Sequence, residues 1–199
     1  MSTRGEKMQL VIIGAGGHGQ VVREVAMSLQ KYITSDNEEN IIFLDDQYKD
    51  VTNVKQKYGT IFYSIKGMCN EYQKYINQDT EFYPAFGDNR KRLEWEEKID
   101  KAGGKLATII HPTAYIAKSA VIRSGTVIFP NAVINTGCMI GNACIINMGA
   151  IIDHGSIIDD ACHIDAGAIV LGENHISRYT KIESGKVVFA REFPINMDS

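Results

Sequence analysis

The chain has 199 residues, 44% of them hydrophobic and 23% charged, and a net charge of −3. That length holds one or two domains of about 100–200 residues. The charge offers no basic field to nucleic acid, and no run approaches the roughly 18 apolar residues of a membrane-spanning helix.

Residues 9–13 (QLVII) form a short apolar run, read as a buried strand. Gly14-Ala15-Gly16-Gly17-His18-Gly19 follows, and Gln20 to Leu29 then repeats apolar residues at helical spacing (Val21, Val22, Val25, Ala26, Leu29). Strand, Gly-x-Gly-x-x-Gly and helix together give the motif its meaning. The glycines admit a ligand to the backbone, and the helix N-terminus attracts a diphosphate. A second strand, Ile41 to Leu44, ends in Asp45-Asp46, acids placed to bind a ribose or a base. A third apolar stretch, Glu81 to Phe86, leads into Gly87-Asp88-Asn89-Arg90-Lys91-Arg92 and a helix from Leu93 to Lys101. Taken alone, this is a truncated α/β unit, short for a full dinucleotide domain. A glycine turn used only for close packing is the competing reading.

Near residue 105 the composition changes. Of 27 isoleucines, 18 lie after residue 100, and Leu106 to Val188 holds only 11 charged residues in 83. The cause is a repeat. Stepping by six from Ile110 to Val188 meets fourteen positions, all Ile or Val, without an insertion. Two residues before each sits a mostly small residue, among them Ala114, Ala132, Cys138, Cys144, Ala150, Cys162 and Ala168. Three residues after, glycine recurs at 125, 137, 149, 155, 167 and 185.

Six residues turn a helix by about 600°, far from whole turns, so no amphipathic helix keeps this period. Short strands separated by tight corners do. The Ile or Val and the small residue fill a narrow interior, and the corner takes Gly or Asn for its backbone angles. Three hexads close one triangular coil, and coils stack at about 4.8 Å as a parallel β-helix. The interior slot of Cys138, Cys144 and Cys162 makes them filler rather than nucleophiles. With no Cys-x-x-Cys, and a polar start before Met8 that is not a secretory leader, reduced thiols and a cytoplasmic location are expected. Outward positions also carry one apolar residue per hexad, including Tyr115, Val121, Val127, Val133, Met139, Ile145, Ile151 and Ile157. That row is too apolar for water. Burial between subunits, most simply in a trimer, is expected; packing under the N-terminal half is the other reading.

The opening IIGAGGHG, the carboxylate pair, the GDN-x-x-R turn and the hexapeptide coils together resemble the bacterial sugar O- and N-acyltransferases. That family includes sialic acid O-acetyltransferases and the enzymes that N-acetylate a UDP-4-amino-sugar toward bacillosamine or legionaminic acid. The resemblance runs from about Met8 to Val188. It implies a Rossmann-like α/β domain over 8–104, a left-handed parallel β-helix acetyltransferase domain over 105–190 and a tail over 191–199. It also implies a homotrimer, acetyl-CoA as co-substrate and a nucleotide sugar held by Gly14, Gly16, Gly17, His18, Asp45 and Asp46, with no membrane or nucleic-acid partner.

The run IINMGAIIDHGSIIDDACHIDAGA resembles the family's catalytic segment, in which one His precedes another by nine residues. The resemblance makes His154 the general base and puts His163, Gly172 and Asn147 on acetyl-CoA. Acetyl transfer needs a proton removed from the attacking amine or hydroxyl, which a histidine does near neutral pH. The acid that usually follows the base is replaced here by Gly155, so the orienting carboxylate is assigned to Asp153, with Asp159 and Asp160 as substitutes. Asn147-Met148-Gly149 departs from the usual Asn-Thr-Gly, and the coils stop early, which implies a shorter cofactor groove or one completed by a neighbour. No metal is expected, since the five histidines lack ligand spacing. Two alternatives stand beside N-acetylation of a UDP-4-amino-4,6-dideoxy sugar. One is O-acetylation of a sialic-acid-like sugar; the other is a non-catalytic nucleotide-binding module trimerised by its β-helix.

Overall fold

A computed structural model describes residues 7–34, 36, 38–48, 54–58 and 61–195. The first six residues, and 196–199 of the expected tail, lie outside it. The chain divides into two compact units, with the division after Ala107.

The first unit is a six-stranded sheet with helices. In chain order its elements are β1 (Gln9–Ile13), α1 (Gly17–Met27), β2 (Ile41–Leu44), β3 (Val54–Tyr58), β4 (Ile61–Gly67), β5 (Thr80–Pro84), α2 (Asn89–Lys101) and β6 (Lys105–Leu106). The sheet order is β3-β4-β2-β1-β5-β6, parallel except for the β3–β4 pair. Leu10 to Ile13 are wholly buried, as a central parallel strand covered on both faces must be. Strand order reverses at β1, which pairs β2 on one side and β5 on the other. A crevice opens at the carboxyl ends of strands where such a sheet switches direction.

Both helices begin earlier than their apolar spacing predicts. α1 starts at Gly17, and α2 starts at Asn89, where Asp88 caps it by accepting the Lys91 N–H at 2.7 Å. The β3–β4 hairpin and β6 have no counterpart in the sequence reading. The sequence of β3, VKQKY, is too polar to signal a buried strand, and the strand is an edge.

The second unit is a stack of fourteen two-residue strands, from Ile109–Ile110 to Val187–Val188. Each as far as Ile169–Val170 pairs in parallel with the strand eighteen residues on, as in Val127↔Ile145 and Ile145↔His163. Three sheets result, containing five, five and four strands. The first runs through residues 109, 127, 145, 163 and 181, the second through 115, 133, 151, 169 and 187, and the third through 121, 139, 157 and 175. The interior is the six-residue row with its small companions: Ile128, Ile134, Ile146, Ile152, Ala132, Ala150 and all three cysteines are fully buried. The thiols also donate to the next coil, Cys138 to the Asp153 carbonyl and Cys144 to the Asp159 carbonyl, each at 3.1 Å.

Two expectations change. The corners accept more than Gly and Asn at left-handed φ: Ala143, Ala161, Glu173, Tyr179 and Arg191 take it as well. Coil-to-coil backbone hydrogen bonds, such as Ala161 N–H to the Asn142 carbonyl at 2.7 Å, hold a conformation that costs an L-residue about 1–2 kcal/mol. The apolar outward residues are not one row either, because successive hexads occupy successive faces. Val127 and Ile145, on the first sheet, are fully buried within the single chain, whereas Tyr115, Val121 and Met139, on the other two, are 60%, 52% and 44% exposed.

Candidate active site

His154 stands in the turn between the second and third sheets, two residues past the inward Ile152. Its position in the corner points the ring outward, and the side chain is 60% exposed. Nδ1 lies 3.2 Å from Asp153 Oδ1. That oxygen also accepts the His154 backbone N–H at 2.7 Å and the Asn135 amide at 2.9 Å from the coil before. These bonds, the backbone one foremost, hold the Asp153 carboxyl below its ordinary range. Asp153 is therefore an ionised, fixed acceptor against one ring nitrogen, the arrangement that leaves the other nitrogen for proton transfer.

The ring lies against Gly172, the same corner position one coil later. A methyl group on Gly172 would come within 2.5 Å of His154 Cε1 and 2.9 Å of both ring nitrogens. Only glycine leaves that seat open. Asp159 and Asp160 stand at the following corner and are engaged there: Asp159 Oδ2 is 3.0 Å from His175 Nε2, and Asp160 Oδ1 accepts the Asn142 N–H at 2.7 Å.

His163 opens a strand of the first sheet, the face opposite the His154 corner in a three-sided coil. Its side chain is largely buried, with Nε2 at 3.5 Å from Asp165 Oδ1. Asn147, one coil below Asp165, donates its amide to that same oxygen at 2.8 Å. Burial raises the Asp165 pKa, but the Ala166 N–H, Ser184, His163 and Lys181 outweigh it and bring it to about 2. Within one chain, then, Asp153, His154 and Gly172 meet at one corner, and Asn147, His163 and Asp165 meet elsewhere. Each group repeats one device, an Asn holding an Asp on the next coil beside a histidine.

In the α/β unit, the ends of β1, β2 and β5 surround a cavity of about 410 Å³. Gly14, Gly16, Gly17, His18, Asp45 and Asp46 all line it. Gly14 takes φ +103°, and Gly19 lets α1 sit on the loop, since a Cβ there would fall 2.1 Å from the Gly14 carbonyl oxygen. The close-packing role and the cavity thus coexist in one motif. Asp45 Oδ2 accepts the Ala15 N–H at 2.6 Å, and Asp46 Oδ1 accepts the Cys69 N–H at 2.9 Å. Both acids shape the cavity walls while presenting to it.

Sequence reading missed Phe86 and Lys91, which also line the cavity. Arg92, fully buried, donates to the Phe86 carbonyl at 2.8 Å and to Asn89 Oδ1 at 2.7 Å. The GDN-x-x-R turn is therefore the brace of this wall. Lys91 Nζ sits 4.2 Å from the Phe86 ring centroid, a cation available to an anionic ligand. Among the described residues, no three His, Cys, Asp or Glu side chains gather to hold a metal ion, and no helix is long and apolar enough to cross a membrane.

Comparison with known proteins places these features among relatives. Residues 9–99 match the model of the PglD N-terminal domain. Over 116 residues, 58% of the chain, it is 32% identical to UDP-N-acetylbacillosamine N-acetyltransferase of Bacillus subtilis (strain 168). The chain spans about half the length of that curated relative, 49%. The acetyltransferase domain of PglB from Neisseria gonorrhoeae FA1090 superposes with a TM-score of 0.80 at 30% identity, over 93% of this chain and 84% of that one. The same domain has been solved in complex with acetyl coenzyme A. A variant of perosamine N-acetyltransferase from Caulobacter crescentus, in complex with CoA and GDP-perosamine, superposes with a TM-score of 0.73 at 25% identity, over 92% of this chain and 89% of that one. The β-helix is the left-handed one of these enzymes.

Proposed function

Since the chain belongs to the hexapeptide-repeat sugar acetyltransferases, we propose that it moves the acetyl group of acetyl-CoA to the amino group of a nucleotide-linked sugar of the UDP-4-amino-4,6-dideoxy type. One observation carries this reading: an exposed imidazole held by an ionised Asp153 at one nitrogen and seated on Gly172. The curated relative acts on a UDP-linked bacillosamine sugar, and the glycine-loop cavity has the glycines, acids and lysine that a nucleotide diphosphate needs.

In this reading, acetyl-CoA supplies a thioester carbonyl. The acceptor amine attacks that carbon, the C–N bond forms and the C–S bond breaks, leaving an amide and the CoA thiol. His154 takes the amine proton at Nε2 and passes it to the departing sulfur. Asp153 fixes the ring and stabilises the imidazolium. Gly14, Gly16, Gly17 and His18 take the diphosphate end of the sugar nucleotide, and Asp45 and Asp46 its nucleoside. His163, Asn147 and Gly172 line the CoA path.

A homotrimer belongs to the same proposal. His154 and His163 stand on opposite sides of one prism, so a shared groove needs His154 of one chain beside His163 of another. The exposed Tyr115, Val121 and Met139 supply apolar area for that contact. A cytoplasmic location suits four buried cysteines that form no disulfide.

The test is turnover of acetyl-CoA with a UDP-4-amino-4,6-dideoxy sugar, read as thiol release. His154→Ala is expected to lower kcat by about 10²–10⁴-fold while the melting temperature holds, because the side chain is mostly exposed. Unchanged acetyl transfer in that variant would sink the mechanism. Turnover only on a free nonulosonic acid would replace the amine acceptor by a hydroxyl.

A further inference from the structure

The corner that carries His154 holds a second acid that the chemistry above leaves unused. Four left-handed positions stack there, one coil apart: Gly137, Gly155, Glu173 and Arg191, with φ of 71°, 66°, 60° and 57°. The column is bare at its first two levels and charged at the last two. Glycine would suit all four, so two long charged side chains stand where the backbone least favours them.

Their side chains do not both splay into water. Glu173 lies along the column toward the level below, since a Cβ on Gly155 would sit 3.6 Å from Glu173 Cγ. Gly155 directly follows His154, and the Glu173 N–H donates to the His154 carbonyl at 3.0 Å. Arg191, from the level above, donates its Nε–H to Glu173 Oε2. The residue before Glu173 is Gly172, the seat of the imidazole. The ring thus has Asp153 at Nδ1 and Gly172 of the next coil against it, while the Glu173 stem lies over the bare Gly155, the residue that follows the ring. Arg191, foremost, keeps the Glu173 carboxyl below its ordinary range, and the charge of His154 adds to that.

We propose that Glu173, pinned by Arg191, is a positioning residue for His154, supplying a second carboxylate from the next coil. An exposed ring with Asp153 at 3.2 Å as its polar contact would swing about its side-chain torsions on the open flank. A wall on the open flank narrows that swing, and a base displaced by 1 Å loses about 10²-fold in rate. A carboxylate at that flank also opposes the positive charge that the ring gains during transfer.

The inference rests on His154 acting as the base, and its test separates the two. Glu173→Gln keeps the shape and removes the charge. Histidine side-chain NMR, without substrate, reads the ring directly. The His154 resonances should shift in Glu173→Gln while those of His111 and His163 stay in place. In the acetyl-transfer assay, kcat should fall about 5- to 30-fold, within the range for loss of base positioning, with KM for acetyl-CoA within about twofold. Arg191→Met should give a smaller loss in the same direction, and Glu173→Asp should restore part of it. Unmoved His154 resonances, or a loss carried by KM, would overturn the role. If the wild-type chain acetylates nothing, the resonances still decide whether Glu173 positions the ring, and only the proposed activity falls.

Discussion

The imidazole of His154 occupies room that one methyl group would take. Gly172→Ala puts a Cβ 2.5 Å from Cε1, so the ring must leave its seat. The expected result is a fall in kcat of about 10- to 100-fold, with a melting temperature close to wild type, measured by steady-state kinetics beside differential scanning fluorimetry. Asp165 makes a different prediction. Its pKa, about 2 when folded against an ordinary 3.8, is depressed. The stability it contributes is therefore complete above about pH 4 and is lost as pH falls from there toward 2. Asp165→Asn should cost on the order of 1 kcal/mol at neutral pH, after discount for solvent screening, and flatten acid denaturation in that window. Urea unfolding at pH 7 and pH 3 measures both arms. Of these residues, Asp153 and His154 stood out as polar residues in an apolar repeat, and Gly172 entered only through the resemblance, as part of the acetyl-CoA path. Asn135, Glu173 and Arg191 did not stand out, since their roles depend on which corner stacks on which.

The hexad is the element that the sequence describes most completely. Its inward residue has no freedom: Ile146 is fully buried among Ile128, Ile164 and the small residues between them. Ile146→Ala removes three carbons from a core too narrow to collapse, and should cost about 2–5 kcal/mol in chemical unfolding. The inward row was readable because its period is independent of contacts outside the coil. The outward row was not. Burial of Val127 and Ile145, against exposure of Tyr115 and Met139, depends on the face each hexad occupies, and the pattern of side chains along the chain is alike for all three. The α/β unit shows the same division. Buried β1 and β2 announce themselves as apolar runs, whereas β3 and β6 are strands only because a neighbouring strand gives them hydrogen-bond partners.

At the scale of the molecule, His154 and His163 belong to opposite sides of one prism, so assembly is part of the chemistry proposed. Met139 lies on an open face, 44% exposed. In the proposed trimer, Met139→Glu places a charge in the subunit contact. It should convert a trimer in sedimentation velocity into single chains and lower turnover with it, although the residue is distant in sequence from His154. Sequence alone determined the repeat, its inward row and the glycine loop. Those features are periodic or local, and backbone geometry with apolar burial suffices to specify them. Tertiary structure decided the rest: the Asn135 amide that holds Asp153, the seat of the His154 ring on Gly172, the brace made by Arg92 and the separation of His154 from His163. Each of these depends on how backbone turns and stacked coils bring side chains together, and only the folded structure fixes which of them face one another.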